Sequence, residues 1–269
     1  MTRTSTLAGT ALITGGSSGI GYAIACELAQ RNYDLILVSN QREKLQAVCD
    51  ELSHDYAIDA RVVYMDLAQV DAATALYTTC QENQWQVDVL VNNAGMFFFD
   101  EVVKTPAEKA QTMLVLQTVT PALLCSLFGK DMKQRGFGYI LNISSLAAYL
   151  PYPGIALYSS TKRFLKSFSR ALRSEMLDYN VYVTCILPGA VSTDLLGLSD
   201  ANHKKAIRFG IMMRADKLAR LSVKALFGGK STLMPGALNR ITRAVLCVVP
   251  PGFVVWFRRH SGFLPVDKK

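Results

Sequence analysis

Paired metal ligands are missing from this sequence. Its six cysteines, Cys26, Cys49, Cys80, Cys125, Cys185 and Cys247, are scattered without one C-x-x-C spacing. That argues against a zinc ribbon or a disulfide framework and suits a reducing, cytoplasmic compartment. The three histidines, His54, His203 and His260, stand far apart, so no metal site is expected. Charged residues are sparse, 19% of 269 residues against 50% apolar. A disordered polyelectrolyte is excluded, and one sizeable α/β core is within reach. Residues 1–9 are polar and lack the apolar stretch of a secretory signal, so none is expected there.

Acidic side chains almost vanish toward the C-terminus. Residues 201–269 carry 14 basic and 2 acidic side chains, whereas residues 1–200 carry 15 and 19. The basic third implies either an anionic partner, such as lipid head groups or an acidic substrate, or an ordinary solvated basic surface. No nucleic-acid-binding motif accompanies the charge, and no nucleic-acid partner is expected. The apolar segment 244–257 has 14 residues and is interrupted by Pro250 and Pro251, short of the roughly 20 that a hydrocarbon core requires. Flanked by Arg240, Arg243, Arg258 and Arg259, it fits a peripheral membrane contact. It equally fits a tail packed on the body, capping a pocket or joining an oligomer.

What the sequence does have is alternation. Short, nearly continuous apolar runs at 10–14, 34–39, 61–65, 87–91, 139–143 and 181–187 read as buried strands. Helical patterns at 19–31, 42–52, 71–83, 106–133 and 156–178 separate them. Residues 215–227 read as a further helix and 231–234 as a seventh strand. The expected fold is therefore a Rossmann-type, doubly wound parallel sheet of about seven strands with helices on both faces. Residues 1–240 would form one domain, including a substrate-binding region near 190–235, with 241–269 a basic apolar tail.

The first strand-to-helix turn reads Thr14-Gly15-Gly16-Ser17-Ser18-Gly19-Ile20-Gly21. Gly15 permits the sharp turn, while Gly19 and Gly21 leave room for a pyrophosphate and for close helix packing. The helix N-terminus then aims its free N–H groups at the phosphates. The second strand ends Ser39-Asn40-Gln41-Arg42, with no carboxylate to repel an adenosine 2′-phosphate. Ser39 and Asn40 can donate to that phosphate and Arg42 is near enough to swing in, although Arg42 also suits a solvated helix position. NADP(H) is favoured over NAD(H).

The spacing Thr-Gly-x-x-x-Gly-x-Gly resembles that of the short-chain dehydrogenase/reductase family. Further motifs follow at that family's intervals: Asp66-Leu67, Asn92-Asn93-Ala94-Gly95, Ser145, Tyr158-x-x-x-Lys162, and Pro188-Gly189 with Val191 and Thr193. The resemblance covers roughly residues 8–195. It implies that Asp66 and Leu67 hold the adenine, and that Asn93, Ala94 and Gly95 face the cofactor. Pro188, Gly189, Val191 and Thr193 would contact its nicotinamide end.

Tyr158 and Lys162 lie one helical turn apart on a shared face. A nearby ammonium should lower the phenol pKa from about 10 and ease proton exchange near neutrality. By the resemblance, Tyr158 protonates a carbonyl oxygen, Ser145 holds that oxygen and Lys162 also binds the nicotinamide ribose. One position departs from the family. Gln117 stands where an asparagine usually supports a water that relays protons to the lysine. The longer amide either serves in a shifted geometry or marks weakened turnover.

The implied activity is NADP(H)-dependent hydride transfer to or from a hydrophobic ketone or secondary alcohol, lipidic or steroid-like. The substrate pocket would draw on Leu195, Leu196, Leu198, Ile207, Phe209, Ile211, Met212 and Met213. The rival readings are a catalytically weakened dinucleotide-binding regulator and a membrane-peripheral protein. A homodimer or homotetramer is implied, built on the two long helices.

Overall fold

In the computed structural model, residues 8–150, 152–193 and 212–261 are described. Leu195, Leu196, Leu198, Ile207, Phe209 and Ile211 lie outside them. The main sheet has seven parallel strands: β1 (Gly9–Thr14), β2 (Tyr33–Ser39), β3 (Ala60–Tyr64), β4 (Val89–Asn92), β5 (Gly138–Ile143), β6 (Val181–Ile186) and β9 (Thr232–Leu233), in the order β3-β2-β1-β4-β5-β6-β9. A separate parallel pair joins β7 (Ala190–Ser192) to β8 (Met212–Arg214). Every residue of β2 is buried, as a strand covered on both faces requires.

Three helices, α1 (Gly19–Ala29), α2 (Arg42–Tyr56) and α7 (Ala215–Phe227), cover one face. Their Ile24, Leu28, Leu45, Leu52 and Val223 join Leu35, Leu37 and Val91 in one core cluster. On the other face lie α3 (Ala72–Glu82), α5 (Thr120–Arg135) and α6 (Ala156–Met176). Leu76, Leu124, Phe128 and Met176 meet Leu12, Ile36 and Leu90 in the second cluster. The strand order reverses direction between β1 and β4, which opens a crevice at their carboxyl ends.

The long helix expected over 106–133 is interrupted. It begins as α4 (Ala107–Leu114), loosens into a π-helical turn at Val115–Val119 and resumes as α5. Ala107–Arg135 is apolar and long enough to cross a membrane, yet its buried Leu124, Phe128 and Met132 form part of the core against the sheet. After β9 the chain turns at Gly236, whose φ of 90° falls in the left-handed region. It continues as α8 (Ala237–Val248) and α9 (Pro251–Ser261).

Candidate active site

A cleft of about 860 Å³ opens at the carboxyl ends of the central strands, large enough for a dinucleotide's reactive half and a substrate. At its floor, Gly15 (φ 67°) and Gly19 (φ 57°) take left-handed conformations. A side chain at Gly21 would collide with the Gly15 carbonyl, so α1 can approach the turn only with glycine there. Ser18, the residue before α1, makes no side-chain cap, leaving the first-turn N–H groups directed at whatever occupies the cleft.

The Asn-Ala-Gly segment is tied to this turn. Thr14 Oγ1 donates to the Val91 carbonyl at 3.1 Å and accepts from the Asn93 and Ala94 amides at 2.9 and 3.1 Å. Asn93 Nδ2 donates to the carbonyls of Thr14 and Gly15 at 3.0 and 3.2 Å. Gly15, Ser17, Ser18, Gly19, Ile20, Asn93, Ala94 and Gly95 thus line one wall. Gly21 does not line it; it acts by letting the helix come close.

At the end of the cleft beside β2 and β3, Ser39, Asn40, Asp66 and Leu67 form the lining together with Gln41, which the sequence reading passed over. The hydroxyls of Ser17 and Ser39 lie 2.9 Å apart, and Ser39 Oγ accepts from the Gln41 amide at 3.2 Å. No carboxylate follows β2 there. Arg42 does not line the cleft. Its guanidinium lies 4.3 Å from the centre of the Tyr64 ring, held by a cation–π contact instead of reaching over Asn40.

Farther along, Ser145, Tyr158, Lys162 and Gln117 line the same cleft. Ser145 follows β5 and caps a short 3-10 turn, Leu146–Tyr149, by accepting from the Ala147 amide at 3.1 Å. Tyr158 packs edge-on against Phe97, with ring centres 5.0 Å apart. Lys162 is only 5% exposed, and its Nζ donates to the Ile143 carbonyl at 3.1 Å.

The expectation that Lys162 lowers the Tyr158 pKa needs correction. Burial pushes the phenol up, and a hydrogen bond with Ser145 opposes that shift. The Lys162 Nζ lies 5.7 Å from the ring centre, and its own desolvation pulls it down to about 8.

Gln117 sits in the π-helical turn and is 1% exposed. Its Oε1 accepts from the Met96 amide at 3.2 Å, and its Nε2 donates to Thr161 Oγ1 at 3.0 Å. Thr161 in turn donates to the Tyr158 carbonyl at 2.8 Å. Both ends of the amide are therefore engaged by protein. The extra methylene, carried on a loosened turn, bridges the Asn-Ala-Gly segment to the Tyr–Lys helix. Gly95 is required beneath it, since a Cβ there would lie 2.8 Å from Gln117 Oε1 and 3.6 Å from Lys162 Nζ.

Pro188, Gly189, Val191 and Thr193 form the opposite lip. Met212 and Met213 do not line the cleft. Met212 is buried in β8 opposite Ala190, and Met213, whose side chain leaves the strand on the other face, packs on the main core. Apolar surface comes instead from Met96, Phe97, Leu146 and Leu150, and from Leu246 of α8 beside Thr242. A side chain at Gly189 would collide with that of Asn239, so α8 rests directly on this lip. Arg243 stacks over Tyr149, its guanidinium 5.2 Å from the ring centre. The first half of the tail therefore caps the cleft, and α8 runs across residue 240.

A glycine turn at the switch point of a parallel sheet runs on to the half-buried Ser145 and Tyr158 and the buried Lys162, an arrangement that can seat a dinucleotide phosphate beside a proton donor. A family model described as short chain dehydrogenase matches residues 9–204. The chain belongs to the short-chain dehydrogenase/reductase family.

Among curated relatives, it is 32% identical over 189 residues to mouse (Mus musculus) 17-beta-hydroxysteroid dehydrogenase type 3, covering 69% of this chain and 61% of that protein. It is 32% identical over 236 residues to the very-long-chain 3-oxoacyl-CoA reductase of Rattus norvegicus, covering 84% and 75% respectively. The chain thus spans less than two thirds of the first relative's length. A short-chain dehydrogenase from Sphingobium yanoikuyae, solved with NADPH, superposes with a TM-score of 0.76 at 25% identity over 97% of this chain and 100% of that one. A 7beta-hydroxysteroid dehydrogenase shares the fold at a TM-score of 0.84 and 20% identity, over 94% of this chain and 96% of that one.

Proposed function

We propose that the chain is an NADP(H)-dependent reductase of hydrophobic ketones. The observation that carries this reading is the convergence of the glycine turn, Ser145, Tyr158 and Lys162 on one cleft whose outer part is apolar. The glycine turn and the α1 N-terminus fit a pyrophosphate, and the lip from Pro188 to Thr193 fits a nicotinamide amide. Bound there, the dinucleotide supplies a hydride.

The chain's own residues do the rest. Tyr158 gives a proton to the carbonyl oxygen. Burial raises its pKa, so the phenol is protonated at neutrality, the form that reduction requires. Ser145 donates to the same oxygen and stabilises the charge that develops on it. Lys162 holds the nicotinamide ribose, and Gln117 keeps the Tyr–Lys helix in register with the Asn-Ala-Gly segment.

The neutral, hydroxyl-rich end of β2 supports a 2′-phosphate, with Ser17, Ser39, Asn40 and Gln41 as donors. Met96, Phe97, Leu150 and Leu246 favour a long apolar substrate, in keeping with relatives named for a hydroxysteroid and a very-long-chain 3-oxoacyl-CoA. The exposed Leu123 and Phe164 on the two long helices support a homodimer or homotetramer.

Steady-state reduction of methyl ketones of increasing chain length, with NADPH and with NADH, tests the assignment. Catalytic efficiency is expected to rise with chain length and to be higher with NADPH. A preference for NADH, or for the shortest ketones, overturns the corresponding half of it.

A further inference from the structure

Helix α8 has two working sides. At about 3.6 residues per turn, Asn239, Thr242 and Leu246 share one side. Asn239 rests on Gly189, while Thr242 and Leu246 line the cleft. The adjoining side carries Leu238, Ile241 and Val245, exposed by 55%, 63% and 53%. Beyond Pro250, α9 adds Phe253 and Trp256, exposed by 50% and 54% and stacked with ring centres 5.7 Å apart. Five large apolar side chains in one short stretch exceed the scattered singles of an ordinary surface.

Their setting is basic. Arg240 and Arg243 are exposed on the same helix, and residues 201–269 hold 14 basic against 2 acidic side chains. Two copies meeting through this patch would bring like charges together. An anionic bilayer would take up the apolar groups and the arginines at once, with Trp256 at the head-group level.

We propose that α8 and α9 dock the protein on an anionic lipid surface, and that this docking sets the mouth of the cleft against the bilayer, so that apolar substrate enters from the membrane past α8. The substrate half of this inference rests on the ketone-reductase reading; the docking half does not.

Flotation of the full chain with phosphatidylglycerol–phosphatidylcholine vesicles and with pure phosphatidylcholine vesicles tests the docking without reference to activity. The test compares wild type with Ile241→Asp/Val245→Asp, whose altered positions lie outside the cleft lining. Wild type should float with the anionic vesicles, with Trp256 emission shifted to the blue. The variant should lose about tenfold or more of the bound fraction, while reducing a short, water-soluble ketone at the wild-type rate. Anionic vesicles loaded with a long-chain ketone should lower the wild-type KM and leave the variant's unchanged.

No flotation of wild type overturns the proposal, as does equal flotation of the variant. Light scattering that shows wild type as an oligomer and the variant as a monomer, with neither floating, assigns the patch to a second copy and also overturns it. Flotation lost in the variant but no ketone reduced by either protein leaves docking standing and removes the reductase reading.

Discussion

At the scale of single residues, the site is organised by what burial does to two proton carriers. Lys162 is drawn down to about 8 because its ammonium is desolvated, and Tyr158 is driven upward for the same reason. The ammonium is therefore present below about pH 8 and is lost above it, while the phenol stays protonated. Reduction should hold level through neutrality and fall as the pH rises through about 8. A kcat/KM profile that climbs across that interval contradicts this assignment.

Gln117 gives a second prediction. Gln117→Leu strands the half-buried Met96 amide, at a cost of about 1–3 kcal/mol, and removes the donor that Thr161 Oγ1 accepts from, while Thr161 keeps its bond to the Tyr158 carbonyl. The variant should unfold at lower denaturant concentration and show a lower kcat with little change in NADPH affinity. Gln117→Asn, one methylene shorter, should fail to span both partners and recover only part of the stability. Full recovery would show that the bridge carries no weight.

Among the elements, the strands were the most legible. Residues such as Leu35, Ile36 and Leu37 form runs with little polar alternation, which only a two-sided parallel sheet accommodates. The glycine turn was legible because Gly15 and Gly19 are needed in left-handed conformations. The π-helical turn was not, since nothing local in Val115–Val119 separates a π turn from an α turn, and the partners of Gln117 in that turn lie in two segments distant in sequence. A tail capping a pocket was one of the readings the sequence left open, but the contact that seats α8 was hidden. Asn239 carries no local signal, and its partner Gly189 lies 50 positions away on the cleft's lip.

That contact can be broken by one methyl. Gly189→Ala should displace α8 and speed amide exchange along Ala237–Val248, and adding Asn239→Ala should restore protection by making room for the new Cβ. Unchanged exchange in the single variant would mean that α8 is held elsewhere, for example by the Arg243–Tyr149 stack.

Over the whole molecule, one doubly wound sheet supplies three surfaces. The carboxyl ends of its strands hold the cleft, helix α8 covers its outer lip, and the two long helices present Leu123 and Phe164 to solvent, exposed by 39% and 40%. Leu123→Glu/Phe164→Glu should convert an oligomer to a monomer in light scattering without unfolding it, because neither side chain is in the core. An unchanged mass would place the subunit contact on another face.

The central claim is that this cleft reduces ketones through Tyr158, and its direct measurement is optical NADPH oxidation at neutral pH with a long-chain methyl ketone, by wild type and by Tyr158→Phe. The account predicts steady turnover by wild type, a loss of about 10²–10⁴-fold in the variant, and NADPH binding retained in both. Equal rates for the two proteins, or NADPH bound by wild type with no reduction of any ketone in the series, would contradict it.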